Sequence, residues 1–361
     1  MEAPCANGKN CFGCGACAAV CPSGAISMRS DSEGFVYPQV DAEHCTECGR
    51  CAAVCPAKAQ LPRREGRFFA VRCKEEQVLR RSASGGAFTL LAQEVIERDG
   101  LVCGAIFDES FSVRHILSRD ITPMRKSKYV QSDLSGCYAA IRAALDRGRM
   151  VLFTGTPCQC HALRLFFPEY PGRLLLASLI CRGVQSPGLW RDYTVWLSRS
   201  GPLQAYDFRD KRLGNDGHAV AYTVDGTETL VSVMEDRLSR LYNLCLTCRP
   251  SCYACPYSRA DNDFDFTLGD FWGVERSCPR FADGRGTSLV IARGPCAEAL
   301  VSRLERHAWV VPCEPDSAMQ PALTAPAREP LLRKFLFRDY ARKNEEGCCD
   351  ISLILKKYGA G

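Results

Sequence analysis

The chain has 361 residues, and 46% of them are hydrophobic, so it can bury the cores of two or three domains. Its 46 Lys and Arg residues against 41 Asp and Glu residues leave a formal net charge of +5, and no basic block interleaved with aromatic residues suggests a nucleic-acid partner. The N-terminus lacks an apolar signal segment and no apolar run is long enough to span a bilayer, so we expect a cytoplasmic protein without a transmembrane segment.

The first feature along the chain is a cysteine pattern that occurs twice. Residues 11–22 and 45–56 both read C-x2-C-x2-C-x3-C-P, the spacing of bacterial ferredoxins that hold two 4Fe-4S clusters. In such ferredoxins the fourth cysteine of each copy binds the other cluster. The pattern therefore predicts one cluster on Cys11, Cys14, Cys17 and Cys55, and a second on Cys45, Cys48, Cys51 and Cys21.

A disulfide framework and a pair of zinc knuckles are the alternatives for these eight cysteines. A reducing compartment disfavours structural disulfides, and zinc sites rarely use four evenly spaced cysteines twice with a proline after each. We therefore favour the iron-sulfur interpretation. The chain has 24 cysteines, most of which would have to be metal ligands or free thiols, and such a composition is typical of an anaerobe.

The sequence pattern changes after residue 62, which divides the chain into two predicted domains. Residues 1–62 form a two-cluster 4Fe-4S ferredoxin-like domain, and LPRREGRFF at 61–69 has the composition of a linker. Residues 63–361 form the second domain. Its glycine-rich turn and amphipathic helix, which ends at Gly100, are followed by apolar strands that alternate with helices. This alternation predicts a parallel sheet covered on both faces, so the fold class is α/β, or mixed α+β.

The pattern is less regular beyond residue 209. Asp225 and Gly226 supply the turn signal of a β-hairpin, and the tail after residue 321 is predicted to be helical.

Four further cysteines could form a third metal site. Cys158 and Cys181 follow neighbouring predicted strands, whose carboxyl ends meet at one edge of a parallel sheet, and Cys252 and Cys255 have C-x2-C spacing. These four side chains would make a third 4Fe-4S site. In the alternative, Cys158 and Cys181 are buried thiols, and Cys252 and Cys255 bind zinc with Cys245 and Cys248. Cys160, Cys245 and Cys248 are also possible substitutes among the ligands, and the role of the last two stays open.

The loop SASGGAF at residues 82–88 precedes a predicted helix. Its backbone N–H groups and the helix dipole could hold a phosphate or pyrophosphate. The alternative is local, with Ser82 as a helix cap and Gly85 and Gly86 serving a tight turn.

Seven motifs in this order resemble a known family. The motifs are RRSASGGAF, KSKYVQSD, GTPCQ, LICRGVQSP, FRDK, RPSCYACP and DFTLGDFWG. Together they are similar to the motifs of the coenzyme F420 hydrogenase/dehydrogenase beta-subunit family, which includes the ferredoxin-linked hydroxymethylchlorophyll reductases. The resemblance covers residues 70–275 and implies FAD beside a 4Fe-4S cluster.

The resemblance also implies roles for individual residues. Ser84, Gly85 and Gly86 would contact the FAD phosphates, Tyr129, Gln131 and Ser132 would line the cofactor, and Asp270 would contact it too. Cys158, Cys181, Cys252 and Cys255 would hold the neighbouring cluster. In a purely structural interpretation, Tyr129 and Trp272 are core aromatic residues and Asp270 is a turn or cap residue.

The sequence departs from the family pattern at two places. Arg182 stands where a histidine is expected, and no tryptophan follows FRDK, whose Arg209 and Lys211 either bind an acidic substrate or form ion pairs. The substrate-facing side of the flavin therefore differs. No catalytic residue is assigned, since His161 and His218 are the histidines near motifs and both are expected to be structural or to lie at the surface.

The function that the resemblance implies is an iron-sulfur flavoprotein oxidoreductase. Electrons from ferredoxin or a redox partner subunit would pass singly through the 4Fe-4S clusters to FAD, which reduces or oxidises a soluble two-electron substrate such as coenzyme F420. The alternative is a non-catalytic electron-transfer subunit of a larger redox complex.

Overall fold

The computed structural model describes residues 8–214, 219–345 and 351–359. In the N-terminal part, strands β1 (Ile26–Ser30) and β2 (Val36–Val40) pair antiparallel, and helices α1 (Ala16–Val20) and α2 (Arg50–Ala53) lie within the two copies of the cysteine pattern. Each helix follows a glycine in the left-handed conformation, Gly15 at φ 74° and Gly49 at φ 71°. The repeated sequence therefore forms the same local structure twice.

The remaining strands form two sheets. They are β3 (Arg67–Cys73), β4 (Leu101–Phe107), β5 (Val113–Ser118), β6 (Val151–Gly155), β7 (Leu174–Leu179), β8 (Leu203–Asp210), β9 (Ala219–Val224), β10 (Thr227–Ser232), β11 (Phe266–Asp270), β12 (Ser288–Ala292) and β13 (Ala308–Cys313). Strands β8 to β10 make a small antiparallel sheet, and the other eight make one mixed sheet in the order β13-β3-β12-β11-β7-β6-β4-β5.

The centre of the large sheet is parallel, as the sequence predicts. Strands β4, β6, β7 and β11 run in the same direction, whereas β5 on one side and β12, β3 and β13 on the other are antiparallel to their neighbours. The linker prediction for 61–69 is wrong at its end, because Arg67 begins β3 and Phe68 and Phe69 are buried in the sheet. The α/β, mixed α+β, class is confirmed.

Helices cover both faces of the large sheet. The helices of this part are α3 (Glu76–Arg80), α4 (Ala87–Glu97), α5 (Cys137–Asp146), α6 (Pro157–Phe166), α7 (Pro187–Leu197), α8 (Arg237–Asn243), α9 (Val274–Ser277), α10 (Pro295–Arg303), α11 (Pro315–Ala318), α12 (Leu331–Glu345) and α13 (Ser352–Gly359). Of these, α7, α8, α12 and α13 pack in a core with β8 and β9 of the small sheet. Leu152 and Leu175 pack in one core with α4 and α10, whereas Val151, Phe153 and Leu174 pack in another with α5 and α6. Adjacent residues of one strand therefore enter opposite cores.

The predicted hairpin and helical tail are also present. Strands β9 and β10 pair across Asp225 at φ 47° and Gly226 at φ 75°, the positive angles of a tight hairpin turn. The tail forms α12 and α13, although residues 346–350 between them are outside the described part. None of the helices within the described residues is both long enough and apolar enough to cross a membrane.

One arginine joins the N-terminal part to the large domain. Arg249, only 1% exposed, donates from Nε to the Cys11 carbonyl at 2.6 Å and from Nη2 to the Val36 carbonyl at 3.0 Å. Its Nη1 donates to Gln131 Oε1 at 2.8 Å, and its guanidinium lies 4.1 Å from the ring centroid of Tyr37. The guanidinium therefore fixes the first cysteine loop, the β1–β2 sheet and the large domain at one point.

We expect the substitution Arg249→Met to lower the free energy of unfolding by about 3 kcal/mol or more, because three buried acceptors lose their donor at about 1–3 kcal/mol each. The measurement is the urea midpoint of anaerobically prepared protein.

The matched control is Arg63→Met, because the Arg63 side chain is 73% exposed and its ion pair contributes about 1 kcal/mol or less. Equal midpoints for the two variants would show that the Arg249 contacts do not hold the two parts together.

Candidate functional site

The N-terminal part contains two cavities that are each lined by four cysteines. Cys11, Cys14, Cys17 and Cys55 line the first, and Cys21, Cys45, Cys48 and Cys51 line the second. We call these groups the first set and the second set. The structure thus brings together the same eight side chains, in the same crossed grouping, as the spacing predicts.

The two sets differ in their exposure to solvent. Cys11 and Cys55 of the first set are 5% and 6% exposed, whereas Cys48 of the second set is exposed. Burial, followed by the charges of Cys11 and Cys55, raises the pKa of Cys17 to about 12. A backbone N–H of Arg50 instead lowers the pKa of Cys48. The second set is therefore the outer one.

The third set, which comprises Cys158, Cys181, Cys252 and Cys255, converges at the edge of the large sheet. Cys158 lies in the first turn of α6, just after β6, and Cys181 follows β7, the neighbouring parallel strand. Burial raises the pKa of Cys158 to about 12 and that of Cys252 to about 11. Burial also raises the pKa of Cys181, and the charges of Cys252, Cys158 and Cys255 raise it further. The four thiols are therefore near neighbours.

The first and third sets face each other across aromatic side chains. The charge of Cys158 contributes to the raised pKa of Cys14, after burial, Cys17 and Cys11, which places the two sets side by side. The Tyr257 ring packs against Phe12 at 5.6 Å between centroids, and its hydroxyl donates to the Pro56 carbonyl at 3.1 Å. Charges of both sets raise the pKa of Tyr257, after burial. Tyr257 therefore lies between the two sets.

His161, one of the two histidines near motifs, is buried beside Tyr257. His161 is 1% exposed, its Nδ1 lies 2.7 Å from the Tyr257 hydroxyl, and burial lowers its pKa to about 4. It is a neutral structural residue, in agreement with the sequence interpretation. His218 lies outside the described residues.

No three His, Cys, Asp or Glu side chains in the described ranges stand close enough for a single metal ion. In a 4Fe-4S cube each thiolate binds a different iron, so four ligands need not meet at one point.

A cleft of about 240 Å³ opens beside the third set, and we call it the strand-end cavity. Its walls include Gly155 at the end of β6, Leu179 at the end of β7 and Asp270 at the end of β11. Thr156 also lines it, and the Thr156 hydroxyl lies 3.2 Å from Cys158 Sγ. The carboxyl ends of parallel strands are the usual ligand-binding edge of such a sheet.

Five of the seven predicted cofactor residues line the strand-end cavity, namely Ser84, Gly86, Tyr129, Ser132 and Asp270. Gly86, at φ 91°, is the N-cap of α4, and α4 therefore begins at the cavity. Tyr129 stacks on Tyr242 with 5.1 Å between ring centroids, and Ser132 accepts a hydrogen bond from Gln159 at 2.9 Å.

The predictions for Gly85 and Gln131 are not supported by their positions. The Gly85 N–H donates to Ser288 Oγ at 2.9 Å, and a Cβ at this position would lie 2.2 Å from the Val71 carbonyl oxygen, so the glycine permits close packing of the loop on the sheet. The Gln131 amide points the other way and donates to the Gly13 carbonyl at 3.1 Å. Gln131 therefore belongs to the contact with the first cysteine loop. Trp272 is not a core residue either, since it is 46% exposed.

Two buried polar atoms in the cavity wall have no protein partner. Asp270 pairs with Arg209 through Oδ2, and its Oδ1 is unpartnered. His115 approaches the Thr154 carbonyl with Nε2 at 2.9 Å, and its Nδ1 is unpartnered. Burial lowers the pKa of His115 to about 4, so a neutral ring that donates from Nε2 leaves Nδ1 as an acceptor. Both atoms can accept a hydrogen bond from a bound molecule.

Three cations of this site were not among the residues predicted from the sequence. Arg125, Lys126 and Lys128 line the cavity, and burial lowers the pKa of Lys128 to about 8. The sequence feature that could have identified them is the pair of lysines in the KSKY motif, directly before Tyr129. Lys211 of FRDK lies nearby and donates to carbonyls of Ser84 and Leu79.

Comparisons with known proteins agree with these two parts of the structure. Residues 10–59 match the model of the 4Fe-4S dicluster domain, and residues 148–316 match the model of the C terminus of the coenzyme F420 hydrogenase/dehydrogenase beta subunit. No curated protein matches the chain. A chain of the xenon-derivatised F420-reducing NiFe hydrogenase complex from Methanosarcina barkeri is similar at 16% identity and a TM-score of 0.46, with 80% of this chain and 94% of that chain covered.

The resemblance predicted from the motifs is therefore confirmed. The protein combines an N-terminal 4Fe-4S dicluster ferredoxin domain with a domain of the coenzyme F420 hydrogenase/dehydrogenase beta-subunit family, a family of iron-sulfur electron-transfer oxidoreductases.

Proposed function

We propose that the protein is an iron-sulfur flavoprotein oxidoreductase with three 4Fe-4S clusters and one FAD. Electrons would pass between an external ferredoxin or partner subunit, the second set, the first set, the third set and FAD in the strand-end cavity. The observation that carries the proposal is the row of three cysteine sets, which ends beside that cavity.

The gradient of exposure supports this order. The second set contains the exposed Cys48, so a partner can approach it, whereas Cys11 and Cys55 of the first set are buried. Clusters transfer electrons singly and over short distances, so an outer site followed by buried sites suits electron entry from another protein.

Arg249 supports the inner steps of the row. Its guanidinium contacts the loop of the first set at the Cys11 carbonyl, and its charge lowers the pKa of Cys158 and Cys252, although burial of both thiols dominates. A buried positive charge stabilises thiolates and any negative cluster bound by them. The same residue therefore favours the bound state at two neighbouring sites.

The strand-end cavity fits the chemistry of FAD. The N-terminus of the eleven-residue helix α4 and the side chains of Arg125 and Lys126 would hold the pyrophosphate. Asp270 Oδ1 would accept from a ribose hydroxyl or a ring N–H, and His115 Nδ1 is a second acceptor. When bound, FAD exchanges single electrons with a cluster and a hydride with a substrate.

The mouth of the cavity favours a soluble substrate. Leu179, which lines the cavity, is 40% exposed, so an apolar surface remains open to solvent next to the cofactor position.

The alternative, a non-catalytic electron-transfer subunit, is favoured by exposed Leu331, Leu332 and Phe335 on α12, which suit a protein contact. Turnover of a soluble acceptor such as coenzyme F420 by the isolated chain with reduced ferredoxin supports the enzyme, and its absence supports the subunit.

We expect Cys158→Ala to reduce the iron content from about twelve to about eight atoms per chain, because one 4Fe-4S cluster loses a ligand. Iron and acid-labile sulfide of anaerobically prepared protein are the measurement. Cys160→Ala is the matched control, since Cys160 lies in the same helix but is not a member of the third set. Unchanged iron in the Cys158 variant would contradict the third cluster site.

We expect Asp270→Asn to weaken FAD binding by about tenfold or more, since a hydrogen bond to a charged group contributes about 1.5–3 kcal/mol. The measurement is the dissociation constant for FAD, with iron content as the check on folding. Asp283→Asn is the control, because Asp283 is also paired with a buried arginine, Arg72, but does not line the cavity. Equal FAD affinities of the unsubstituted protein and both variants would mean that FAD binds elsewhere or that the protein does not bind FAD.

A further inference from the structure

A second cleft lies where the N-terminal part meets the large domain, and the proposed function gives it no role. Its volume is about 810 Å³. Residues up to Arg63 form one wall, and residues between Ser251 and Arg259 form the other. We call it the interdomain cleft. Among the described residues, none lines both this cleft and the strand-end cavity.

The charge of the interdomain cleft comes from two arginines that share one carboxylate. Arg63 Nη1 lies 3.4 Å from Asp261 Oδ2, and Arg259 Nε lies 3.5 Å from Asp261 Oδ1. Both arginines line the cleft, and no Asp or Glu is among its described lining residues. Two guanidinium groups on one carboxylate leave one positive charge, so the cleft favours an anion.

The two arginines differ in how firmly they are held. Arg259 donates from Nη2 to the Leu61 carbonyl at 2.9 Å and from Nε to Asn262 Oδ1 at 2.9 Å, and its side chain is 23% exposed. The Arg63 side chain is 73% exposed. Arg259 is therefore a preorganised part of the wall, whereas Arg63 can turn from solvent towards a bound anion.

Apolar and aromatic side chains make up much of the remaining wall. Phe12, Leu61 and Pro256 line the cleft. Tyr257 lines it too, and its ring centroid lies 5.6 Å from that of Phe12 at an interplanar angle of 58°. A flat aromatic molecule packs well against such a surface, because it buries apolar area without losing rotatable bonds. The wall therefore suits a ligand with an apolar ring as well as a negative charge.

One buried polar group of the wall has no partner within the described residues. Ser251 lines the cleft and is 3% exposed, and its hydroxyl makes no hydrogen bond in that part of the chain. Buried polar groups are nearly always hydrogen-bonded. An oxygen acceptor on a bound molecule would satisfy this hydroxyl, which is an indication of a ligand that does not depend on the arginines.

We propose that the interdomain cleft binds an anionic molecule with a flat aromatic body, such as an aromatic sulfonate or a quinone that carries acidic groups. The acidic group pairs with Arg63 and Arg259. The ring packs on Phe12 and Tyr257, and an oxygen of the ligand accepts a hydrogen bond from the Ser251 hydroxyl.

The cleft adjoins two of the cysteine sets. Pro56 directly follows Cys55 of the first set, Pro256 directly follows Cys255 of the third set, and both prolines line the cleft. The role of the ligand rests on the proposed function: with clusters on these sets, a bound quinone is a second electron acceptor. It takes one electron from each of two reduced clusters and two protons from water, and the product is the hydroquinone.

The test measures binding of anthraquinone-2,6-disulfonate to the full chain by equilibrium dialysis. The protein is prepared anaerobically, left oxidised and kept in excess FAD, which fills the strand-end cavity in the proposed function. We expect one dye molecule per chain, and benzyl viologen, a cationic aromatic dye, should not compete. Absence of saturable binding of the disulfonate up to about 1 mM, or equal binding of the viologen, would overturn the proposal.

A charge variant tests the exposed arginine. Arg63→Met should weaken binding of the disulfonate by about tenfold, because one charged hydrogen bond is lost. Arg67→Met is the matched control, since the Arg67 side chain is 61% exposed and pairs with Glu298 but does not line the cleft. Equal affinities of these two variants for the dye would contradict the assignment.

The shared carboxylate gives a prediction of the opposite sign. Asp261→Asn raises the charge of the cleft and should tighten binding of the disulfonate by about threefold or more. If Asp261 only supports the local structure, this variant binds the dye equally or more weakly, and that result would overturn the proposal.

The variant Asp270→Asn separates this site from the proposed function. It should weaken FAD binding and leave the affinity for the disulfonate unchanged, whereas weaker dye binding would place the dye in the strand-end cavity and overturn the proposal. A chain that binds the dye but never FAD would refute the proposed function alone. A chain that binds FAD but no dye would refute the interdomain site alone.

Discussion

The buried guanidinium of Arg249 is the contact on which the arrangement of the cysteine sets depends. It satisfies carbonyls of Cys11 and Val36 in the N-terminal part and the amide of Gln131 in the large domain. An arginine removed from water needs such partners on every side, because its five donors cannot be deprotonated. The geometry that satisfies them also fixes the distance between the first and third sets, so domain packing and the proposed electron-transfer geometry have one cause.

Burial of the thiols sets a second constraint. Iron binds thiolates, yet burial raises the pKa of Cys17, Cys158 and Cys252 far above neutrality. Assembly of a cluster on the first set, and of the proposed cluster on the third set, must therefore displace protons, and its free energy depends on pH. The second set is mixed, since a backbone N–H lowers the pKa of the exposed Cys48 whereas burial raises the pKa of Cys51. The same C-x2-C-x2-C spacing thus holds an exposed, more readily ionised thiol in the outer set and buried, protonated thiols in the inner set.

Sequence patterns predicted the parts of the structure that follow from local spacing. Cysteine spacing gave the crossed grouping of the first and second sets, and strand–helix alternation gave the parallel centre of the sheet with the strand-end position of Cys158 and Cys181. The antiparallel flanks were not predictable, because β3, β12 and β13 meet only through long-range pairing. The direction of the Gln131 side chain was not predictable for a related reason: the motif marks the loop, but only the packed domains decide that this amide faces Gly13. Arg249 is the first residue of the RPSCYACP motif, but the sequence alone does not distinguish a buried arginine from an exposed one.

The start of β3 inside the predicted linker has a consequence for how electrons move. Arg63 pairs with Asn262, the Arg64 N–H donates to the Asp261 carbonyl at 2.8 Å, and the sheet begins at Arg67. These contacts anchor the connection between the two parts, which is the opposite of the free linker that a tethered, swinging carrier needs. In the proposed function, transfer from the first set to the third set would be a fixed-distance step, whose rate is governed by potentials and packing and is insensitive to solvent viscosity.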